Sequence, residues 1–202
     1  MTEKTPGHAC AFGANNEVDS DRRSVLKGAI AVALASLATV ALPALGQSET
    51  TRGPKAGDRL AFVIGDHKGH EIKLTDLEVG GAPTLAYPLD TATGTVLASR
   101  ANMLVVTRLD PKLIKASSAH NAADGVVAFS AVCTHRGCVI TTLVPGQSTL
   151  VCNCHGSEYD VANDGAILHG PTTRRLAMLP LEMKGGGLVV AGTFDGPLGP
   201  PA

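Results

Sequence analysis

Two short boxes in this chain of 202 residues place cysteine beside histidine, two residue types that bind metals in proteins. The first box reads Cys-Thr-His-Arg-Gly-Cys at 133–138, and the second reads Cys-Asn-Cys-His-Gly-Ser-Glu-Tyr at 152–159. Four of the five cysteines lie in these boxes, whereas Cys10 lies far upstream. Two cysteines and two histidines can chelate one metal centre, and the remaining cysteine of each box can pair with its counterpart. The boxes therefore predict a metal site.

The sequences of both boxes resemble those of the Rieske iron–sulfur family, whose patterns are C-T-H-x-G-C and C-x-C-H-G-S. Proteins of this family hold a 2Fe-2S cluster by two thiolates on one iron and two imidazoles on the other. Transferred to this sequence, the resemblance implies that Cys133 and Cys152 bind one iron. It implies that His135 and His155 bind the other.

The resemblance assigns a second role to the remaining cysteines. It implies a disulfide between Cys138 and Cys154 that ties the two boxes together, and such bonds persist in oxidising compartments. The ring-hydroxylating oxygenases of the family lack this pair, so the low-potential branch is disfavoured. Gly170-Pro171 resembles the family's loop that shields the far side of the cluster.

Two hydroxyl side chains in the second box point to the high-potential branch. There, a serine bonds a bridging sulfide and a tyrosine bonds the sulfur of the first cysteine, and Ser157 and Tyr159 stand at those positions. Two imidazoles in place of thiolates raise the potential to about −150 to +300 mV, against about −400 mV for all-cysteine ferredoxins. Hydrogen bonds to the sulfurs raise it further. The resemblance implies one-electron transfer at high potential.

Other chemistries remain open at this point. Two cysteines and two histidines also suit a structural zinc ion, but zinc sites usually keep like ligands together, whereas each box here mixes them. A cysteine–histidine nucleophile pair leaves the doubled box unexplained. A stand-alone redox carrier and a binding module without a cluster are the remaining alternatives.

Two exported branches of the family retain the disulfide: the small subunit of arsenite-oxidase-type molybdenum enzymes and the Rieske subunit of cytochrome bc complexes. The spacing between Asp160 and Gly170, and the flanks 84–99 and 188–200, are similar to the first branch. Arg136 replaces the leucine with which bc subunits dock on an apolar quinol pocket, where a charge would cost desolvation. The bc branch is the alternative, because the sequence at 156–159 is more similar to the bc-type pattern than to the arsenite-oxidase pattern. The expected partners are a larger, molybdopterin-containing redox subunit and a periplasmic acceptor such as a c-type cytochrome.

The first 46 residues resemble a twin-arginine export signal. Arg22-Arg23 precede an alanine-rich apolar run at 28–45, and small residues at 44–46 suit a signal peptidase. The sequence thus predicts a periplasmic protein. An uncleaved membrane anchor is the alternative, because about 18 apolar residues can just span a bilayer.

The rest of the chain predicts an all-β fold. It has 23 glycines, 12 prolines and 3% aromatic residues, and short apolar segments alternate with turn residues. We expect a linker at 47–57 and a Rieske-type antiparallel β sandwich at 58–202, with a small inserted cluster-binding lobe at 133–171. The segments expected as strands are 60–64, 71–74, 84–89, 95–99, 103–109, 126–132, 166–168, 176–183 and 188–193, and 116–124 is expected as a polar loop. The formal net charge of −1 argues against a nucleic-acid partner.

Overall fold

A computed structural model of the protein describes residues 52–201. The predicted signal segment 1–46 and the first part of the linker lie outside these residues. The regular secondary structure of the described chain is mostly antiparallel β strands, as the sequence predicts, with one four-residue α-helix, α1, at Ala116–Ala119. None of the helices in the described part is long and apolar enough to cross a membrane.

Twelve strands follow one another along the chain. They are β1 (Arg59–Phe62), β2 (Thr84–Asp90), β3 (Thr95–Val96), β4 (Leu104–Arg108), β5 (Val126–Ser130), β6 (Thr142–Leu143), β7 (Thr149–Cys152), β8 (Ser157–Asp160), β9 (Ala166–His169), β10 (Met178–Leu179), β11 (Leu181–Lys184) and β12 (Gly187–Val190). Three single-turn 3-10 helices lie at Leu74–Asp76, Arg100–Asn102 and Pro111–Leu113.

A six-stranded antiparallel sheet forms the centre of the fold. Its order is β1-β2-β4-β5-β10, with β3 paired to the outer part of β2. Side chains of successive strand residues point to opposite faces, and both faces of this sheet are buried. Val105 and Phe129 join one apolar cluster, whereas Leu104 and Ala128 join a second cluster with the β11–β12 hairpin. Burial on both faces explains why β4 and β5 are almost continuously apolar.

The candidate site lies in a lobe inserted between two neighbouring strands of this sheet. The chain leaves the sheet at the end of β5 and returns in β10, where Phe129 pairs with Met178. Between them, β6, β7, β8 and β9 form a four-stranded sheet in chain order. Because the lobe begins and ends on adjacent strands, its base is fixed by the central sheet.

Three sequence expectations differ from the structure by more than the position of a strand end. The predicted strand at 71–74 is wrong: Glu71 makes one isolated bridge, and the chain then turns into a 3-10 helix where the Asp76 carboxylate accepts the Lys73 N–H. The predicted strand at 176–183 divides at Pro180, which has no N–H to donate, into β10 and β11 of different sheets. The expected loop at 116–124 begins with α1.

Candidate metal centre

Both cysteine–histidine boxes lie at the tips of antiparallel turns. In the first, a bridge between Val132 and Val139 closes the base, and the N–H of Cys133 donates to the Cys138 carbonyl at 2.9 Å. The N–H of Gly137 then donates to the Cys133 carbonyl at 2.8 Å. Gly137 has φ +77°, a left-handed conformation that glycine adopts without strain.

The second box is the β7–β8 hairpin. Cys152, the last residue of β7, pairs with Ser157, the first residue of β8, so Cys154 and His155 occupy the four-residue connection. The N–H of Gly156 donates to the Cys152 carbonyl at 2.9 Å, which repeats the closure of the first box. The two boxes thus share the same backbone hydrogen bond, from a glycine N–H to the carbonyl of the first cysteine.

A disulfide between Cys138 and Cys154 joins the two tips. This is the pairing that the resemblance implies, and it leaves Cys133 and Cys152 as free, buried thiols in the described part of the chain. Cys138 is partly buried and Cys154 is exposed. The disulfide therefore lies at the outer end of the lobe and the free thiols at its inner end.

The four predicted ligands fall into two pairs. Cys133 and Cys152 are each 1% exposed, belong to the first apolar cluster, and interact through their side chains. The rings of His135 and His155 lie 4.7 Å apart at 89°; His135 is half-buried and His155 exposed. The arrangement places thiols inside and imidazoles towards solvent.

This separation does not suit a single zinc ion, which needs four ligand atoms around one point. Among the described residues, one group of three metal-ligating atoms lies within 4.8 Å of one another, and it comprises Cys138, Cys152 and Cys154. Two of these sulfurs are already joined in the disulfide and cannot act as thiolates. Two separate pairs instead suit a centre with two metal ions, one for the thiols and one for the imidazoles.

The protonation of these groups follows from burial and hydrogen bonding. Burial raises the pKa of Cys133, but hydrogen bonds from the Tyr159 hydroxyl and from the backbone of His135 outweigh it, so the net pKa is lowered. Burial and the neighbouring Cys133 raise the pKa of Cys152. Burial, then the charges of His155 and Arg136, lower the pKa of His135. Neutral imidazole is the form that binds a metal.

Two buried polar atoms at the site have no hydrogen-bond partner among the described residues, Nδ1 of His135 and Oγ of Ser157. Buried polar atoms are nearly always satisfied, so each atom left alone needs an explanation. An imidazole nitrogen without a partner is a free metal ligand, and a hydroxyl without an acceptor can donate to a sulfide. A 2Fe-2S cluster would satisfy both, so the residues present fit this group.

Tyr159 supplies a second hydroxyl at the inner end of the site. Its side chain is fully buried, and its hydroxyl oxygen lies 3.3 Å from Cys133 Sγ. Burial, together with the Cys133 acceptor, raises the pKa of Tyr159. The phenol therefore keeps its proton and can donate it to the sulfur. Ser157 and Tyr159 are two residues apart on β8 and share one face of the strand.

Two further hydroxyls, those of Thr134 and Thr172, lie at the site and were not predicted from the sequence. Thr134 Oγ1 lies 3.0 Å from the Tyr159 hydroxyl and 2.5 Å from Thr172 Oγ1. Its place between two predicted ligands could have marked Thr134 as buried. No local pattern could have marked Thr172, because its contact joins residues 38 positions apart.

The predicted shielding loop packs against the second box. Gly170 has φ +96°, and a Cβ built on it would lie 2.5 Å from the Gly156 carbonyl oxygen and 2.6 Å from the Ser157 Cα. Glycine is therefore required here by space as well as by conformation. Pro171 is exposed beside it.

Two arginines hold the surroundings of the first box. Arg100 donates to the Gly137 carbonyl, and Arg174 donates to the Gly199 carbonyl of the C-terminal segment. Pro200, in that segment, lies near Gly137. The first box is thus supported by side chains from distant parts of the chain, which limits its movement.

Comparison with known proteins gives one family. The family described as Rieske [2Fe-2S] domain matches residues 90–180. A protein of Haloferax mediterranei, assigned as the Rieske subunit of a respiratory nitrate reductase, is 32% identical over 174 residues, which cover 86% of this chain and 74% of that protein. The cytochrome bc1 complex Rieske iron-sulfur subunit of Streptomyces lividans is 33% identical over 48% of this chain, which spans only 58% of that subunit's length. The plasma membrane Rieske protein of Synechocystis superposes with a TM-score of 0.34 and 21% identity, over 52% of this chain and 84% of that structure.

Proposed function

This chain belongs to the Rieske [2Fe-2S] family, and we propose that it transfers electrons one at a time as a subunit of an exported oxidoreductase complex. When bound, the 2Fe-2S cluster supplies a one-electron couple, and imidazole ligation raises its potential. By name, the matched relatives are Rieske subunits of a respiratory nitrate reductase and of a cytochrome bc1 complex, which supports a role as the subunit of a larger redox complex. The chain itself contributes the ligands, the hydrogen bonds and the docking surface.

The proposed ligands are the four residues of the sequence analysis. Cys133 and Cys152 would hold one iron of the cluster, and His135 and His155 would hold the other. The observation that carries this assignment is the division of the site into a buried thiol pair and a more exposed imidazole pair. The unpartnered Nδ1 of His135 supports it. Replacing any one of the four should abolish cluster assembly, which iron and sulfide analysis would detect.

The exposed imidazole defines where an electron enters or leaves. His155 reaches the surface at the tip of the lobe, whereas the thiols are covered by the first apolar cluster. A partner that docks on this tip shortens the distance to the imidazole pair. Arg136 is also exposed at the tip and places a positive charge there.

The favoured complex is an arsenite-oxidase-type molybdopterin oxidoreductase, in which this chain is the small subunit that passes electrons to a soluble acceptor such as a c-type cytochrome. The relative that matches most of this chain is assigned to a nitrate reductase, which supports an oxidoreductase other than the bc1 complex. The exposed charge of Arg136 supports the same choice, because burying it against an apolar quinol pocket would cost desolvation.

The second candidate is the Rieske subunit of a quinol-oxidising bc complex. The bc1 subunits of several actinobacteria match part of this chain, at 33% identity over 99 residues in the case of Streptomyces lividans. Affinity purification from the native organism separates the candidates. A copurifying molybdopterin subunit supports the first, cytochrome b and cytochrome c1 support the second, and a lone chain with an intact cluster supports a stand-alone carrier.

Export by the twin-arginine route, to the periplasm, completes the proposal. The Cys138–Cys154 disulfide supports it, because such bonds are rare where thiols are kept reduced. Changing Arg22 and Arg23 to lysine keeps the charge but removes the pair that the route recognises. We expect the double variant to accumulate in the cytoplasm, as fractionation would show. Unchanged export would contradict the proposal. The same fractions show whether the run at 28–45 is cleaved or retained as an anchor.

A further inference from the structure

A buried threonine in the shielding loop stands at one end of a row of hydroxyls. The other end of the row lies beside the sulfur of Cys133, a proposed iron ligand. Thr172 follows Gly170-Pro171 and is 7% exposed. Its Oγ1 lies 2.5 Å from Thr134 Oγ1 and 3.1 Å from the Arg174 carbonyl oxygen. Thr172 therefore has two acceptors within reach for one hydroxyl proton.

Thr134 stands in the middle of this row. Its Oγ1 lies 2.6 Å from the Arg174 carbonyl oxygen and 3.0 Å from the Tyr159 hydroxyl oxygen. The Tyr159 hydroxyl in turn lies 3.3 Å from Cys133 Sγ. Thr134 has a single proton and must divide it between the carbonyl and the tyrosine.

The number of hydroxyl protons limits which hydrogen bonds in this row can form at the same time. Three hydroxyl protons are present, and two atoms accept without being able to donate, the Arg174 carbonyl oxygen and the Cys133 sulfur. The shortest contacts assign the protons: Thr172 donates to Thr134 Oγ1 at 2.5 Å, and Thr134 donates to the Arg174 carbonyl oxygen at 2.6 Å. Tyr159 can then donate to the thiolate, the most negatively charged acceptor. Thr134 Oγ1 competes less for the Tyr159 proton, because it already accepts from Thr172.

We infer that Thr172 is a positioning residue for electron transfer: by donating to Thr134 Oγ1, it reduces the competition of that oxygen for the Tyr159 proton and so strengthens the hydrogen bond from Tyr159 to Cys133. The inference rests on the proposed function, in which Cys133 is an iron ligand. Its consequence is that a side chain in the shielding loop, remote in sequence from both boxes, raises the midpoint potential.

Removing the Thr172 hydroxyl lowers the number of hydroxyl donors in the row from three to two. In Thr172→Val, Thr134 still donates to the Arg174 carbonyl, but its Oγ1 no longer accepts a hydrogen bond from residue 172. Thr134 Oγ1 then becomes a competing acceptor for Tyr159, at 3.0 Å against 3.3 Å for the sulfur. The sulfur loses part of its hydrogen bond, and the reduced state loses stabilisation.

The experiment measures the midpoint potential of the cluster-loaded full chain by redox titration followed by EPR. The variants are Thr172→Val, Thr172→Ser, Tyr159→Phe and the double variant of Thr172→Val with Tyr159→Phe. We expect Thr172→Val to lower the potential by a fraction of the Tyr159→Phe shift. Thr172→Ser keeps the hydroxyl and should stay near the wild-type value. In the Tyr159→Phe background, Thr172→Val should add no further shift.

Two results would overturn the inference. One is a wild-type potential in Thr172→Val while Tyr159→Phe is shifted, which leaves the proposed function intact. The other is an equal shift from Thr172→Val with and without Tyr159, which would mean that the residue acts by packing. If Thr172→Val does not load the cluster, Thr172→Ala removes the hydroxyl without added bulk and is judged by the same criteria. An unshifted Tyr159→Phe would count against the proposed role of Tyr159 and would remove the basis of the inference.

Discussion

Ser157 and Tyr159 show how two side chains on one strand face can tune a redox centre. Both are fully buried on β8; the Tyr159 hydroxyl lies beside Cys133 Sγ, and the Ser157 hydroxyl has no partner within the described residues. A donor aimed at a sulfur stabilises the state with more negative charge, which is the reduced state. With a cluster bound, we expect the two hydroxyls to favour reduction.

Removing either hydroxyl should lower the midpoint potential while the cluster still assembles. We expect this for Ser157→Ala and for Tyr159→Phe. A differential stabilisation of about 1.4 kcal/mol corresponds to about 59 mV for a one-electron couple, and we expect shifts of that order. Tyr87→Phe is the matched control, because Tyr87 is the other tyrosine of the chain and lies on β2. Unshifted potentials in both site variants would place these hydroxyls away from the sulfurs.

Asp160, next to Tyr159, anchors the base of the same strand. Its carboxylate accepts from Lys115 Nζ and Ser148 Oγ, each at 2.8 Å, and from the Ala162 N–H at 3.1 Å. Burial raises the pKa of Asp160, but these hydrogen bonds outweigh it and the net pKa is lowered. A carboxyl group whose pKa is lower in the folded state stabilises the fold above its unfolded pKa, about 3.9. That contribution is lost as the pH falls through the folded value.

Asp160→Asn should therefore destabilise the protein in a pH-dependent way. At pH 7 we expect the free energy of unfolding to fall by about 1–3 kcal/mol, the cost of disrupting a buried, charged hydrogen-bond group. The difference from wild type should narrow below about pH 3.9. Asp124→Asn is the control, since its pair with Arg108 is partly exposed and should matter by less than about 1 kcal/mol. Urea unfolding at several pH values tests this, and a difference that does not depend on pH would contradict it.

At the scale of elements, the site consists of two turns. Each turn is closed by a hydrogen bond from a glycine N–H to a cysteine carbonyl, and one disulfide joins the tips of the two turns. Cys138→Ser or Cys154→Ser should leave the four proposed ligands in place but loosen the turns. The bond closes a separation of 16 residues, for which loop entropy predicts about 3 kcal/mol of stabilisation. We expect lower thermal stability and faster loss of the cluster, followed by absorbance. Two free thiols at 138 and 154 in exported protein would contradict the account.

The contact between the shielding loop and the second turn is a second element-scale test. Gly170→Ala would place a Cβ against the backbone of Gly156 and Ser157, in a left-handed conformation that costs alanine about 1–2 kcal/mol. Gly146→Ala is the matched control, because its φ is +73° but its Cβ would meet nothing within 4 Å. We expect Gly170→Ala to destabilise the protein more than the control does, by about 1–3 kcal/mol, and to expose the cluster to faster loss. Equal effects would mean that the loop does not rest on the turn.

Elements were predictable from the sequence where one physical signal dominated. Apolar residues on both faces marked β4 and β5, and glycines marked the turn before β12. The expected strand at 71–74 failed because local capping by Asp76 competes with alternation, and the expected strand at 176–183 failed because Pro180 interrupts the ladder. The Cys138–Cys154 disulfide was predicted through the resemblance of the two boxes to the family. The hydrogen bonds of Thr134 and Thr172 depend on how the shielding loop folds back, and local sequence does not encode that.

At the scale of the whole molecule, the central sheet links rigidity to redox function. The first apolar cluster runs from Phe129 on the sheet to Cys133, Cys152 and Tyr159 in the lobe. The thiols are thus part of the packed interior, while His155 lies at the surface. We expect a site built this way to change shape little when its charge changes by one electron, and to present one side to a partner. Both properties suit a protein that relays electrons.

Potentiometric titration of the natively purified protein, followed by EPR, tests the central claim most directly. The account predicts a single one-electron transition between about −150 and +300 mV. It also predicts a rhombic signal in the reduced state, with an average g value below that of the free electron. A transition near −400 mV, the value of all-cysteine ferredoxins, would contradict ligation by His135 and His155. Bound zinc without iron or labile sulfide would contradict the electron-transfer function itself.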